Sequence, residues 1–284
     1  MAKIDGLGWA DGIAVNCFGV RIGIRTTEAG FARSLEHLLP QGRKPTSSET
    51  VDQLYSLIVG GPGPRPNVQR LHVLYSGAQR LAREREISPI LRILQTEIRR
   101  VVAEAAPRRV FVHAGVVEWC GRAIVIPGRS MSGKSTLVAE MVRLGATYYS
   151  DEYAVLDGKG FVHPFPKPLS LRKPGSFEAF DHAVEEFGGR AGAKSIAVGL
   201  IAVTRYVPGA RWRPRELTRG QGLLGLLTHS IAARRQPSRV MRTLRLTVAQ
   251  AAVFKSVRGE ASDTAKALLS WVENSNATSE YTGR

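Results

Sequence analysis

A short apolar run, Ala123-Ile124-Val125-Ile126, leads directly into Gly128-Arg129-Ser130-Met131-Ser132-Gly133-Lys134-Ser135. A helical pattern follows, with Leu137, Val138, Met141 and Val142 on one side. No other stretch restricts the fold of this chain as tightly. The octet fits G-x-x-x-x-G-K-[ST], and strand, glycine loop and helix is the order that this pattern needs to work as a phosphate cradle. Glycines let backbone N–H groups turn inward around phosphate oxygens, and the helix N-terminus adds partial positive charge. Lys134 would reach the terminal phosphates, and the Ser135 hydroxyl would hold Mg²⁺. A chance glycine turn before a helix would not need strand and helix both in register.

The 284 residues allow one large domain or two smaller ones, and an ordinary hydrophobic fraction of 43% supports a sizeable core. The longest apolar runs fall short of the roughly 18 residues of a membrane span. Met1-Ala2-Lys3-Ile4-Asp5 lacks the apolar run of a signal peptide. Cys17 and Cys120 make neither a disulfide framework nor a zinc site. Together these features lead to the expectation of a cytoplasmic protein without membrane contact. The net charge of +16 attracts acidic partners. Arg outnumbers Lys, however, and a base-composition bias spread over a solvated surface accounts for such an excess equally well.

The spacing divides the chain at about residue 105. Val20, Ile22 and Ile24 alternate with Arg21, Gly23 and Arg25, which predicts a half-buried strand within 13–25. Phe31–Leu39 reads as a helix stopped by Pro40, Gly60–Pro66 as a loop, and Leu71–Tyr75 as a strand before a Ser76-Gly77 turn. Ser88 is expected to cap a helix with Pro89 in its first turn, its apolar positions running from Ile90 to Val102 and its end set by Pro107. Residues 1–105 are thus expected to form a small α+β lobe, and residues 106–273 a nucleotide-binding domain. In the latter, Val110–Trp119, Ala146–Ser150, Ile196–Thr204 and Thr243–Val248 read as strands, and Leu217–Ala233 as helical with glycine interruptions. The prolines between Phe161 and Leu171 exclude a central strand or a helix there. Ser262 is expected to cap a last helix, and residues 274–284 to form a flexible tail.

Two further features carry chemistry. Asp151-Glu152 stands sixteen residues after Ser135, at the end of the strand that follows the loop helix. A carboxylate there can hold a metal beside phosphate or take the proton of an attacking hydroxyl. His113 lies on a strand that leads by a hairpin into the glycine loop, where an imidazole could meet phosphate or tune the neighbouring carboxylate. His163, His182 and His229 have no metal-ligand spacing and read as structural or surface residues. Lys167 and Arg172 flank the proline-rich segment, where contact with phosphate or acceptor competes with a solvated loop charge.

The order His113, glycine loop, acidic pair resembles the HPr kinase/phosphorylase family. Phe111-Val112-His113-Ala114-Gly115-Val116-Val117 resembles its histidine strand, Gly128–Thr136 its phosphate loop, and Tyr149-Ser150-Asp151-Glu152 its acidic strand end. Val162–Leu171 is similar to a segment of HPr-kinase-related proteins of biosynthetic gene clusters, the lasso-peptide kinases among them. The resemblance implies an α/β fold of the phosphoenolpyruvate-carboxykinase-like type with a mixed central sheet. It implies ATP and Mg²⁺ as cofactors, bound by Gly128, Arg129, Ser130, Met131, Ser132, Gly133, Lys134, Ser135 and Thr136. It further implies Asp151 as the base, Glu152 beside Ser135 on the metal, His113 near the phosphates, a tendency to assemble as a homo-oligomer, and a serine of a peptide or small protein as acceptor. Departures are visible: Glu152 replaces a second Asp, Thr136 stands where Glu is frequent, and Ser195-Ile196-Ala197-Val198 replaces the later Glu-Val-Arg-Gly signature. They describe a divergent relative with its own acceptor.

Other phosphate-loop classes lack their companions here. A transporter ATPase needs Leu-Ser-Gly-Gly-Gln, and a GTPase needs Asn-Lys-x-Asp. A small-metabolite hydroxyl kinase shares the loop and stays open, as does a non-catalytic nucleotide sensor, although His113, Lys134, Ser135, Asp151 and Glu152 are all in place. Nine arginines fall between Arg211 and Arg245. They suit an acidic acceptor. No helix-turn-helix or base-stacking aromatic pattern accompanies them, which argues against nucleic acid.

Overall fold

The structure, a computed structural model, describes residues 2–48, 50–62, 69–172 and 179–282. Two compact units, Met1–Arg108 and Arg109–Arg284, divide the chain. Each has its own sheet and its own helices.

In the first unit a six-stranded sheet runs Lys44–Pro45, Asp11–Cys17, Val20–Thr26, Gln53–Ile58, His72–Ser76, Gln79–Glu84. All neighbours are antiparallel except Val20–Thr26 with Gln53–Ile58. The helix Ile87–Ala105 packs on this sheet through Ile90, Leu94, Ile98 and Val102, all buried, at the spacing of one helical face. Its start differs from the sequence expectation. The N-cap is Glu86 without a side-chain cap bond, so Ser88 lies inside the first turn. Phe31–Leu39 is not one helix but a short turn of helix at Phe31–Ser34 followed by a 3₁₀ turn at Glu36–Leu38. Gly60 lies outside any strand or helix, Gly61–Pro62 pairs with Gln69–Arg70 in a two-residue ladder, and residues 63–66 of the expected loop lie outside the described residues.

The second unit is built on a mixed eight-stranded sheet. Its centre is parallel: the loop strand Arg122–Pro127 neighbours Val198–Tyr206, which neighbours Ala252–Arg258. On the other side the histidine strand, Val110–Trp119, runs antiparallel to the loop strand and pairs with both Thr147–Ser150 and Tyr153–Leu156. One face carries the loop helix Lys134–Arg143 and the last helix Ala261–Thr282 over Ile124, Ile126, Leu200 and Ala202. The other face carries Arg219–Leu227 and Pro237–Ala249 over Val112, Val125, Ile201 and Val253. Because both faces are covered, the loop strand is a continuous buried apolar run from Ala123 to Ile126 rather than an alternating one.

Three expectations fail here for local reasons. Thr243–Val248 is not a strand. It is the second half of the helix Pro237–Ala249, whose buried residues Val240, Thr243, Leu244, Thr247 and Val248 repeat at helical spacing behind a proline in the first turn. β-branched side chains in a short window imitate a strand. The strand is Ala252–Arg258, with buried and exposed residues in partial alternation. The last helix begins at Ala261, so Ser262 is within it, and it continues to Thr282 where a tail from residue 274 is expected. Among the described residues no helix is long and apolar enough to cross a membrane.

Candidate functional site

The antiparallel turn at Trp119–Arg122 folds the loop strand back along the histidine strand, so that Pro127 lies opposite Ala114. His113 therefore sits near the start of its strand, beside the mouth of the glycine loop. It grips that mouth twice. Gly128 N–H donates to the His113 carbonyl at 3.1 Å, and the imidazole Nδ1 lies 2.8 Å from the Gly128 carbonyl. A carbonyl can only accept, so Nδ1 carries the proton and Nε2 is left as an acceptor, facing the Ser130 hydroxyl at 3.4 Å. Burial, reinforced by the Lys134 charge, lowers the His113 pKa to about 4. The imidazole is neutral at physiological pH, and in this tautomer Nε2 offers no proton to a phosphate oxygen.

The loop itself is shaped by backbone conformation. Met131 at its tip takes φ 66° and is 67% exposed; Gly133, the residue before the helix, takes φ 79°. Glycine is favoured at 133 by its backbone conformation, and a side chain there would also have to displace the end of Arg258. The left-handed backbone disfavours other residues, and a Cβ there would stand 2.5 Å from Nη2 of Arg258. At Gly128 a Cβ would meet Ser132 Oγ at 2.8 Å. Gly115 on the histidine strand leaves room for the helix, since its Cβ would be 2.6 Å from Val138 Cγ2.

Lys134, 6% exposed, donates through Nζ to the Arg129 carbonyl at 2.6 Å, so the loop closes on its own ammonium. Burial lowers the Lys134 pKa to about 8 against the opposing pull of Asp151. Ser135 Oγ donates to Asp151 Oδ2 at 2.8 Å. Asp151 is 5% exposed and is surrounded by donors: Lys167 Nζ at 2.9 Å and Tyr148 Oη at 3.1 Å on Oδ1, and Ser170 N–H at 3.4 Å on Oδ2. Ser135 and Asp151 thus supply two hard oxygen donors side by side. That set suits Mg²⁺, which takes few protein ligands and completes its shell with water and phosphate oxygens. Among the described residues no group of three or more His, Cys, Asp or Glu side chains could hold a metal on its own.

Other expected site residues fall around this core. Glu152 is half-buried, and its carbonyl accepts from Ala114 N–H at 3.1 Å. The carboxylate beside Ser135 is that of Asp151. Arg129, Ser130 and Thr136 are exposed, and Ser132 is half-buried.

Three residues join the site that spacing alone did not bring to it. Arg258, 2% exposed, donates from Nη2 to the Gly133 carbonyl at 2.9 Å and the Ser132 carbonyl at 3.3 Å. Its guanidinium stands 5.3 Å from the centre of the Tyr206 ring. His229 accepts from His113 N–H at 2.8 Å through its carbonyl. Burial and the charges of Lys134 and Arg129 hold its imidazole below the ordinary histidine range. Lys167 is the third, through Asp151. Only for Lys167 was there a sequence signal, its place in the proline segment just after the acidic pair.

No protein-family model matches the chain, and no curated protein matches it. Among solved structures it is similar to the Hpr(Ser) kinase/phosphatase from Coxiella burnetii, with a TM-score of 0.35 and 15% identity over 61% of this chain and 94% of that one.

Proposed function

We propose that this chain is an ATP-dependent kinase that moves the terminal phosphoryl group to a hydroxyl acceptor, a serine of a peptide or small protein. One observation carries the reading. The glycine loop, with Gly133 in the left-handed conformation ahead of the helix, places Ser135 Oγ against the buried carboxylate of Asp151 at 2.8 Å. A fold that needed only a turn would have no use for a buried lysine and a buried aspartate at the same helix start, because both are costly to desolvate.

In this reading the loop N–H groups and Lys134 bind the phosphates, with Lys134 exchanging the Arg129 carbonyl for phosphate oxygen. Bound Mg²⁺ would neutralise charge on the transferring group. Ser135 and Asp151 would hold it, which moves Asp151 to the metal side. Glu152, the other acid of the pair, then becomes the group that takes the acceptor's proton. His113 acts by fixing Gly128 and the loop mouth. The N-terminal unit presents or shapes the acceptor, and arginines between 211 and 245 attract an acidic one.

The test is incubation of the full chain with γ-labelled ATP, Mg²⁺ and the products of neighbouring genes, with mass spectrometry for the gain of one phosphate on a serine. Glu152→Gln should retain nucleotide binding and lose transfer, whereas Asp151→Asn should lose the benefit of Mg²⁺ on binding. Calorimetry that finds unchanged Mg–ATP affinity in Lys134→Ala would refute the site.

A further inference from the structure

Lys167 has no part in the scheme above, yet it holds the site's central carboxylate. Its Nζ stands 2.9 Å from Asp151 Oδ1, with the lysine side chain 13% and the aspartate side chain 2% exposed. The same ammonium donates to the Pro168 carbonyl at 3.3 Å, on the exposed side. The Lys167 carbonyl and Asp151 Oδ1 both accept from the Tyr148 hydroxyl, at 3.0 and 3.1 Å, and share its single proton. A nearly closed polar cluster therefore surrounds one negative charge, and its counter-charge comes from a loop rather than from the phosphate-binding helix.

We propose that Lys167 is a positioning residue of the phosphate site: it is the counter-ion of Asp151 while no nucleotide is bound, and it releases that carboxylate to the divalent cation when the nucleotide enters. The inference rests on the reading of the site as a Mg–nucleotide site. Electrostatics favours the exchange. A doubly charged cation held by Asp151 and an ammonium on the same carboxylate would repel each other in a water-poor site. The incoming phosphates bring several negative charges, so the released ammonium gains a new partner as it leaves the old one.

The local chain is suited to such a move. Pro166 and Pro168 bracket Lys167, and the residue before a proline is confined to extended backbone. The main chain is thus held, and the ammonium travels on its four-carbon stem. The Pro168 carbonyl supplies a resting partner already within reach. Lysine fits this role better than arginine, because a compact charge on a flexible stem leaves without breaking a two-bonded fork. Holding Asp151 in the lysine-paired state reduces the apparent affinity for the metal by the fraction of molecules so occupied.

Calorimetry should compare the affinity for a non-hydrolysable ATP analogue with Mg²⁺ and with EDTA, in the wild type, Lys167→Met and Lys167→Arg. The ratio of the two affinities isolates the metal's benefit from any loss of direct phosphate contact. It is expected to rise about tenfold in Lys167→Met and to fall below the wild-type value in Lys167→Arg, whose fork holds the carboxylate more firmly. An unchanged or smaller ratio in Lys167→Met overturns the proposal. If Lys167→Met does not fold, labelling of the wild-type lysines with an amine reagent, read by mass spectrometry, decides. Labelling of Lys167 should be greater with analogue and Mg²⁺ than with analogue and EDTA, and equal labelling overturns the proposal. If the wild type binds the analogue in neither condition, it is the nucleotide-site reading that falls.

Discussion

Replacing Arg258 by Met should loosen the glycine loop and destabilise the C-terminal unit together. The guanidinium makes three N–H···O=C bonds: Nη2 to Gly133 at 2.9 Å and to Ser132 at 3.3 Å, and Nη1 to Gly259 at 3.2 Å. Hydrogen bonds from a charged donor contribute roughly 1.5–3 kcal/mol each when short, so one short and two long bonds give a gross contribution of about 4–6 kcal/mol. Burial of the cation offsets part of this. It lowers the Arg258 pKa, and Nε is buried without a partner. The net loss in Arg258→Met should be about 2–4 kcal/mol, since methionine refills the volume and leaves the carbonyls bare. With an m-value of roughly 2 kcal/mol/M the urea midpoint should fall by about 1–2 M. Tryptophan fluorescence suits the measurement, because Trp119, Trp212 and Trp271 lie in the C-terminal unit and Trp9 alone lies in the other. Nucleotide affinity should fall about tenfold, as Gly133 loses the contact that holds its left-handed conformation, and Arg258→Lys should not restore it. A midpoint within ~0.3 M of the wild type, with unchanged nucleotide affinity, would refute the reasoning.

Because the folded His113 pKa of about 4 lies below the unfolded value, stability is complete above about pH 6.5 and lost as pH falls toward 4. The loss, on the order of 3 kcal/mol, should be absent from that window in His113→Phe, and an identical pH dependence in urea melts of both proteins would contradict it. Lys134→Met should leave the nucleotide-free protein about 1–3 kcal/mol more stable, since a desolvated cation is removed, while lowering nucleotide affinity at least about a hundredfold; a destabilised variant in thermal melts would show that the ammonium is structurally required. Gly115→Ala forces a methyl group into Val138 and should cost about 1–3 kcal/mol. Chemical denaturation that finds it neutral would mean the loop helix can shift without penalty.

Local pattern alone marks the loop strand, the loop helix and the long helix Ile87–Ala105, because each signals itself within a few turns or residues. The conformation demanded of Gly133 is likewise local. Pairings are not. Gln53–Ile58, Gln79–Glu84 and Ala252–Arg258 carry weak patterns, and their neighbours in the sheet make them strands. Thr243–Val248 shows the reverse: its β-branched residues favour a strand locally, and burial of one face against the sheet makes it part of a helix. The site divides the same way. Lys134 and Ser135 are adjacent in the chain, and the spacing to Asp151 spans one helix and one short strand, so these residues could be picked out one by one. Arg258 reaches Gly133 from 125 residues away, because parallel strands across the sheet centre end side by side. His229 meets His113 only because the histidine strand extends past the end of its neighbour, and Lys167 meets Asp151 only because a loop returns over the strand end. Sequence determines which chemistry a segment can offer, since that depends on side chains and on dihedrals a residue or two apart. Which charges are brought face to face depends on chain crossings whose cost and gain are set by the whole core.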